Sequence, residues 1–242
     1  MNNRAMPTPF LTAEWRRLVM LNYEIDPAVL QPYVPAGTEV DSHGGKTYVS
    51  MVGFLFLHTR VRGVAIPFHT DFEEVNLRFY VRRLVGGETR RGVVFIKELV
   101  PRAAIAWIAR RYYNENFVAL PMSHRNHKYG SGRRVTYEWS FARKSHSLDL
   151  RADGHPHLPQ DNSLEAFITE HYWGYVRQRD GSTMEYQVEH PRWYVWPATE
   201  AIFSCEVEAL YGKAFAPFLT PTPASAFLAK GSAVAVYPGT RI

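Results

Sequence analysis

Apolar and polar positions alternate along much of this chain. The pattern is plainest in "FEEVNLRFYVRR", Phe72 to Arg83. There Phe72, Glu74, Asn76, Arg78 and Tyr80 fall on one side, and Val75, Leu77, Phe79 and Val81 on the other. A period of two belongs to a β-strand, because successive side chains leave opposite faces of the pleated backbone. The same reading predicts strands over Arg17–Ile25, Thr47–Arg60, Phe72–Val85, Arg91–Val100, Val135–Ala142, Leu148–Ala152, Met184–Glu189, Ile202–Leu210 and Ala233–Tyr237.

Helical signals are few. "DPAVLQPYVPAGTEVD" offers Asp26 as N-cap and Pro27 at the first helical position, with Pro32 or Pro35 to stop the turn. "PRAAIAWIARRYY", Pro101 to Tyr113, places Ala104, Trp107, Ile108 and Arg111 at helical spacing. "NSLEAFITEHYWGY" predicts a further helix, capped by Asn162 or Ser163 and ending near Gly174. Repeats, low-complexity runs and long linkers are absent, and Asp153–Asn162 is the best boundary candidate, though a short one. The expectation is a single domain over residues 1–242, β-rich and of the α+β class, with a few short helices.

Gly86-Gly87 sits between two strand-like runs, and both positions of a two-residue hairpin turn favour residues that tolerate positive φ. Such a turn places Asn76 opposite Lys97, Arg78 opposite Phe95 and Glu74 opposite Leu99. Lys97 then shares the polar face, whereas a loop longer by one residue brings Glu98 there instead. A half-exposed antiparallel sheet would show the same alternation. Against it, "VVFIKELVP" is apolar on both faces apart from its two charges, and a doubly covered strand needs a partner or a use for a charge. Both readings of the polar face, surface ladder and lined cavity, stand at this point.

Composition narrows the classes. With 46% hydrophobic and 14% aromatic residues the chain can build a substantial core. The net charge of +5 comes from 22 Arg and 6 Lys spread along the sequence. Its densest patch, "RNHKYGSGRR", reads as a polar loop, so no nucleic-acid partner is expected. "MNNRAMPTPFLTAEW" has no apolar run behind its arginine, and "YVSMVGFLFL" is about half the length a membrane helix needs. A soluble, cytoplasmic protein without membrane association is the expectation. The lone Cys205 excludes an internal disulfide framework and reads as an inert core thiol. His124 and His127, or His155 and His157, have metal-like spacings without a third ligand, so neither metal nor cofactor is expected. His171, Tyr172, His190 and Trp193 lie in aromatic surroundings that suit either packing or a ligand pocket.

"VPAGTEVDSHGGKTYVSMVGF", "FHTDFEEVNLRFYVRR", "RGVVFIKELVPRAAIAWIARRYYNENF", "ITEHYWGY" and "SAFLAKGSAV", in that order, resemble the bacterial YqjF-like family. That family is similar in turn to the acetoacetate decarboxylases, which implies an antiparallel barrel or cone around an active-site cavity. The resemblance matches Glu74 to a cavity glutamate and Arg110 to an arginine of the decarboxylase helix. It departs at Arg111, where a glutamate is replaced, and at Asn114–Val118, which stand where a Gly-Phe-Pro-Lys-like turn would supply the Schiff-base lysine. An N-terminal arginine is also missing near "NYEID". A Schiff base needs a neutral amine, and only Lys97 has a context that implies burial.

Two functions follow from this. One is an enzyme acting on a small carboxylate or carbonyl compound, decarboxylase-like or diverged. Glu74 and Lys97 would be catalytic, with Asn76, Arg78, Glu98, Arg110, Tyr172 and His190 against the substrate. The other is a non-catalytic protein that binds a small molecule in the same cavity. Whether the chain forms homo-oligomers is left open by its sequence.

Overall fold

The structure is a computed structural model and describes residues 8–101 and 116–242. The expected helix over Pro101–Tyr113 and the candidate Arg110 lie outside the described residues, apart from Pro101.

The strands are long and few turns separate them. They are β1 (Leu11–Ile25), β2 (Glu39–Val40), β3 (Thr47–Val61), β4 (Val64–Ala65), β5 (Phe72–Val85), β6 (Glu88–Val100), β7 (Phe117–Ala119) and β8 (Met122–Tyr129). They continue with β9 (Gly132–Phe141), β10 (Lys144–Ala152), β11 (Trp173–Arg177), β12 (Thr183–Glu189), β13 (Val195–Ser204), β14 (Ser225–Val236) and β15 (Thr240–Arg241). Four short helices accompany them among the described residues: α1 (Pro27–Leu30), α2 (Leu164–Thr169), α3 (Val207–Tyr211) and α4 (Ala216–Leu219). Asp26 caps α1, its carboxylate accepting from the Ala28 amide at 2.8 Å, and Ser163 caps α2 through the Ala166 amide at 3.1 Å.

Hydrogen bonding runs β12–β11–β6–β5–β3–β1–β14 and returns to β12, where Val188 pairs with Val236 and Glu189 with Ala235. These strands therefore form a closed ring. Every step is antiparallel except β11 with β6. A second antiparallel layer, β13–β10–β9–β8, leaves the ring at β14.

Two cores explain why so many strands are apolar on both faces. One lies between the ring and the second layer, where Val19, Leu21, Val49, Met51, Val75, Leu77 and Phe79 meet Val135, Tyr137, Leu148 and Leu150. Gly53 allows the closest approach there, since a Cβ would come within 2.6 Å of the Tyr137 ring. The other faces the ring's interior and contains Leu18, Met20, Phe54, Phe56, Phe72, Tyr80 and Trp193. Strand β5 lies between the two. Its apolar side is sealed, with Val75, Leu77, Phe79 and Val81 fully buried, each worth about 1.5–3 kcal/mol of transfer free energy.

The β5–β6 hairpin turns at Gly86-Gly87 with φ of 57° and 89°, as the sequence predicts. Other elements differ from expectation. The helix after Ser163 stops at Thr169, because Trp173 and Gly174 join the ring beside Gly92 and Val93. The strand expected over Ile202–Leu210 ends at Ser204, and Val207–Tyr211 coils into α3 to pack Leu210 and Tyr211 into the first core. "RNHKYGSGRR" is no loop: it is the β8–β9 hairpin, an edge pair whose polar side chains face outward.

Gly231 faces Arg16 across the β1–β14 ladder with φ of 72°, next to an irregularity in β1 at Arg17. A Cβ there would sit 1.9 Å from the Trp15 carbonyl oxygen, a backbone atom that cannot swing away. Gly231→Ala is therefore expected to lower stability by about 2 kcal/mol or more. Urea unfolding checks this, and a wild-type midpoint would show that the two strands are not so closely apposed.

Candidate functional site

Each strand of the ring contributes side chains to one pocket of about 220 Å³, far more than a single bound water requires (about 10–15 Å³). One wall is aromatic. Trp15 meets Phe54, Phe56 and Trp193 edge-on with centroids 5.5, 5.8 and 6.3 Å apart, and Phe56 stacks on Phe72 at 4.7 Å. The polar lining consists chiefly of Glu74, Asn76, Arg78, Glu98, Thr169, His171 and His190, and His190 stacks on Trp193 of the aromatic wall. A mostly apolar space with a few convergent polar groups is the usual form of a small-molecule site.

Alternation along β5 puts Glu74, Asn76 and Arg78 on the pocket side, and all three are at least nine-tenths buried. The Asn76 amide donates to Glu74 Oε1 at 2.9 Å. Arg78 lies 3.4 Å from the Ile168 carbonyl, which α2 delivers, and 5.7 Å from the Tyr80 ring centroid. The Arg78 Nε and Asn76 Oδ1 are buried without a hydrogen-bond partner. Behind Arg78 a polar row crosses four strands in register. Ser50 lies opposite Arg78, Asn22 opposite Ser50 and Ser225 opposite Asn22. Ser50 donates to Asn22 Oδ1 at 2.6 Å and lies 2.5 Å from the Tyr80 hydroxyl, while the Asn22 amide donates to Ser225 at 2.9 Å. These bonds compensate the burial of polar groups between two cores.

The alternative between Lys97 and Glu98 is resolved by a β-bulge. Arg78 pairs with Phe95, but Leu77 pairs with Lys97, so Ile96 is the extra residue. From there Asn76 faces Glu98, and Glu98 enters the pocket. Lys97 is thereby removed from the site that sequence reasoning gave it. Its ammonium turns to the opposite side, donates to the Leu210 carbonyl and lies 5.8 Å from the Tyr211 ring, and partial burial lowers its pKa. None of the chain's six lysines lines the pocket. Tyr172 is not among the lining residues either; it packs behind His190 at 4.8 Å and donates to Glu170.

Three histidines line the pocket. His69, in the loop before β5, is half-buried with Nδ1 2.8 Å from the Pro67 carbonyl, whereas His171 and His190 are buried. The sequence puts both His171 and His190 in aromatic surroundings that suit packing or a pocket, and names only His190 as substrate-binding; the structure brings His171 to the pocket as well. His171 lies under Tyr80, ring centroids 4.6 Å apart, and its Nε2 is 3.8 Å from the Asp41 carboxylate, which also lies 3.3 Å from Arg91. Burial pushes the His171 imidazole down to about 4; nearby Arg78 and Arg91 act in the same sense and Asp41 against it. Asp41 itself is pulled below the usual range. Its burial is outweighed by His171, Arg91 and the Ser42 amide. Both His171 nitrogens are sealed from solvent.

The remaining candidates have structural settings. His124 accompanies Glu73 at 2.6 Å on β8, and His157 bridges to Val195. Among the described residues no group of three metal-ligating side chains comes together. Cys205 is partly buried beside the first core, where desolvation pushes its thiol up to about 12. No described helix is long and apolar enough to cross a membrane.

The sequence model of DUF2071, described as an uncharacterized conserved protein, matches residues 12–233. The chain is 26% identical over 193 residues to the uncharacterized protein YqjF of Bacillus subtilis (strain 168), covering 78% of this chain and 76% of that protein. Its fold is similar to that of the enduracididine biosynthesis enzyme MppR complexed with pyruvate (TM-score 0.69, 14% identity, 99% of this chain and 93% of that one). It is also similar to acetoacetate decarboxylase from Legionella pneumophila (TM-score 0.64, 13% identity, 100% and 94%). The fold is acetoacetate decarboxylase-like, as the resemblance implied.

His171 makes stability depend on pH. Its folded pKa is depressed below the ordinary value of 6.5, so the unfolded chain binds the extra proton first. Stability is then full above about pH 6.5 and falls as pH drops toward about 4. His171→Gln is expected to flatten the melting temperature over this interval relative to wild type; parallel profiles would show that His171 does not titrate there.

Proposed function

The chain belongs to the DUF2071 family, and we propose that it is a lysine-independent enzyme acting on a small organic acid or carbonyl compound in the ring pocket. The observation that carries this is the convergence of Glu74, Asn76, Arg78 and Glu98 at one end of an aromatic-walled space that no lysine lines. A covalent imine with a carbonyl substrate requires an amine within reach of it. The nearest strand lysine, Lys97, is turned away from the pocket by the bulge at Ile96.

Arg78 is the anchor for an anionic head group. It is planar, permanently charged, largely desolvated, and keeps an unpartnered Nε. Asn76 orients Glu74 by donating to it, and Glu74 is the acid or base placed beside the anchored group. Trp15, Phe54, Phe56 and Phe72 take an apolar body. The similarity in fold to MppR, whose solved structure is complexed with pyruvate, supports 2-oxo acids as the first compounds to try. The predominance of apolar lining favours a second reading, a protein that binds such an acid without converting it.

Borohydride treatment in the presence of acetoacetate or 2-oxo acids is expected to label no lysine. Turnover of acetoacetate, lost on borohydride treatment with label on a lysine, would overturn the lysine-independent reading. Glu74→Gln keeps an oxygen for the Asn76 amide and is expected to change stability by less than about 1 kcal/mol while abolishing turnover. If wild type binds an oxo acid without converting it, the second reading replaces the first. Glu74→Leu removes the acceptor and is expected to cost about 1–3 kcal/mol. Chemical denaturation of the two variants compares them, and equal stabilities would show that the Asn76–Glu74 bond does not order this wall.

A further inference from the structure

We infer that His190 is the proton acceptor of the pocket, taking a proton from the carbon next to the carbonyl of a 2-oxo acid anchored on Arg78. This deepens the proposed function and rests on it. His190 Nδ1 lies 3.0 Å from the Pro191 carbonyl, and a carbonyl only accepts, so the proton of the neutral imidazole resides on Nδ1. Nε2 is then the nitrogen with a free lone pair. Unlike both nitrogens of His171, it is not among the sealed polar atoms, and His190 lines the pocket.

The ring is held in a clamp. Trp193 stacks on one face at 4.2 Å with planes 20° apart, and the Tyr172 ring lies 4.8 Å away. Each clamp residue is itself tied down, the Trp193 Nε1 by Ser232 at 2.9 Å and the Tyr172 hydroxyl by Glu170 at 2.5 Å. A catalytic base needs such an orienting shell, because a small misplacement is costly in rate. The charged groups acting on His190 are Glu170, with Arg192 beside it, and Arg78. Burial lowers the His190 pKa and Arg78 adds to this, while the Pro191 carbonyl and Glu170 oppose it, so the imidazole is neutral near pH 7. An anionic substrate on Arg78 offsets that arginine's charge and strengthens the base once it is bound.

The step is balanced within the site. The C3–H bond of the oxo acid breaks and its electron pair becomes the C2=C3 bond of an enolate. The negative charge passes to the C2 oxygen beside Arg78, and the proton goes to His190 Nε2, from which it is returned or exchanged with solvent. No other reactant is consumed.

The test uses 4-phenyl-2-oxobutanoate, whose ring suits the aromatic wall, in deuterium oxide. Proton NMR follows loss of the C3 signal, calorimetry measures binding, and nitrogen NMR of labelled protein reports the His190 tautomer. Expected are C3 exchange above the buffer rate, a proton on Nδ1, and a His190→Gln variant that binds within about threefold of wild type but exchanges at least about 100-fold more slowly. Glu170→Gln retains the histidine and removes a charge that raises its pKa, so the acid limb of its exchange profile is expected at lower pH than in wild type. This variant decides the matter if His190→Gln does not fold. Failure of wild type to bind the oxo acid overturns the anchoring reading and this one with it. Binding without exchange, equal exchange in His190→Gln, a proton on Nε2, or an unmoved acid limb overturns the role of His190 alone.

Discussion

Strand β5 is covered on both faces, and the rest of the site depends on that constraint. Val75, Leu77, Phe79 and Val81 are sealed in the core shared with the second layer, which fixes the strand's rotation and forces Glu74, Asn76 and Arg78 into the ring's interior. There they are removed from bulk water, where burying an unpaired charge or amide would be prohibitive. Compensation comes from within the sheet: the Asn76–Glu74 bond, the Ile168 carbonyl near Arg78, and the Ser50–Asn22–Ser225 row. A polar face between two cores persists only where such networks exist or where a ligand completes them.

The same burial sets the chemistry available. In a low-dielectric pocket an imidazole favours its neutral form, so His171 and His190 both shift downward. The two histidines are nevertheless unlike. His171 is sealed and coupled to Asp41 and Arg91, a structural titrating group. His190 is clamped between aromatic rings with its tautomer fixed, and faces the pocket. Proximity to the pocket alone would not separate them; hydrogen-bond partners and exposure do.

Similarity in fold to acetoacetate decarboxylase does not carry that enzyme's chemistry to this chain, because function resides in the site rather than in the architecture. Here the architecture supplies a ring that presents alternate residues inward. The identities of those residues, with arginine, glutamates and histidines but no lysine, determine which reactions the pocket can support.

Local physics made much of this legible in the chain itself. Strict alternation from Phe72 to Tyr80 and the paired glycines at 86 and 87 determined the hairpin and put Glu74, Asn76 and Arg78 on one face, because side-chain period and turn geometry are properties of neighbouring residues. Tertiary structure decided the rest. Whether Lys97 or Glu98 enters the pocket depends on one extra residue at Ile96, and a bulge forms where flanking strands and α3 fit best, which no local propensity encodes. The end of α2 at Thr169 was set by the pairing of Trp173 and Gly174 with β6, and that pairing carries His171 to Asp41 from 130 positions away in the chain. Closure of the ring then brings His190, from the far end of β12, to the Arg78 side, because contacts between distant segments follow from packing free energy and not from any short stretch of sequence.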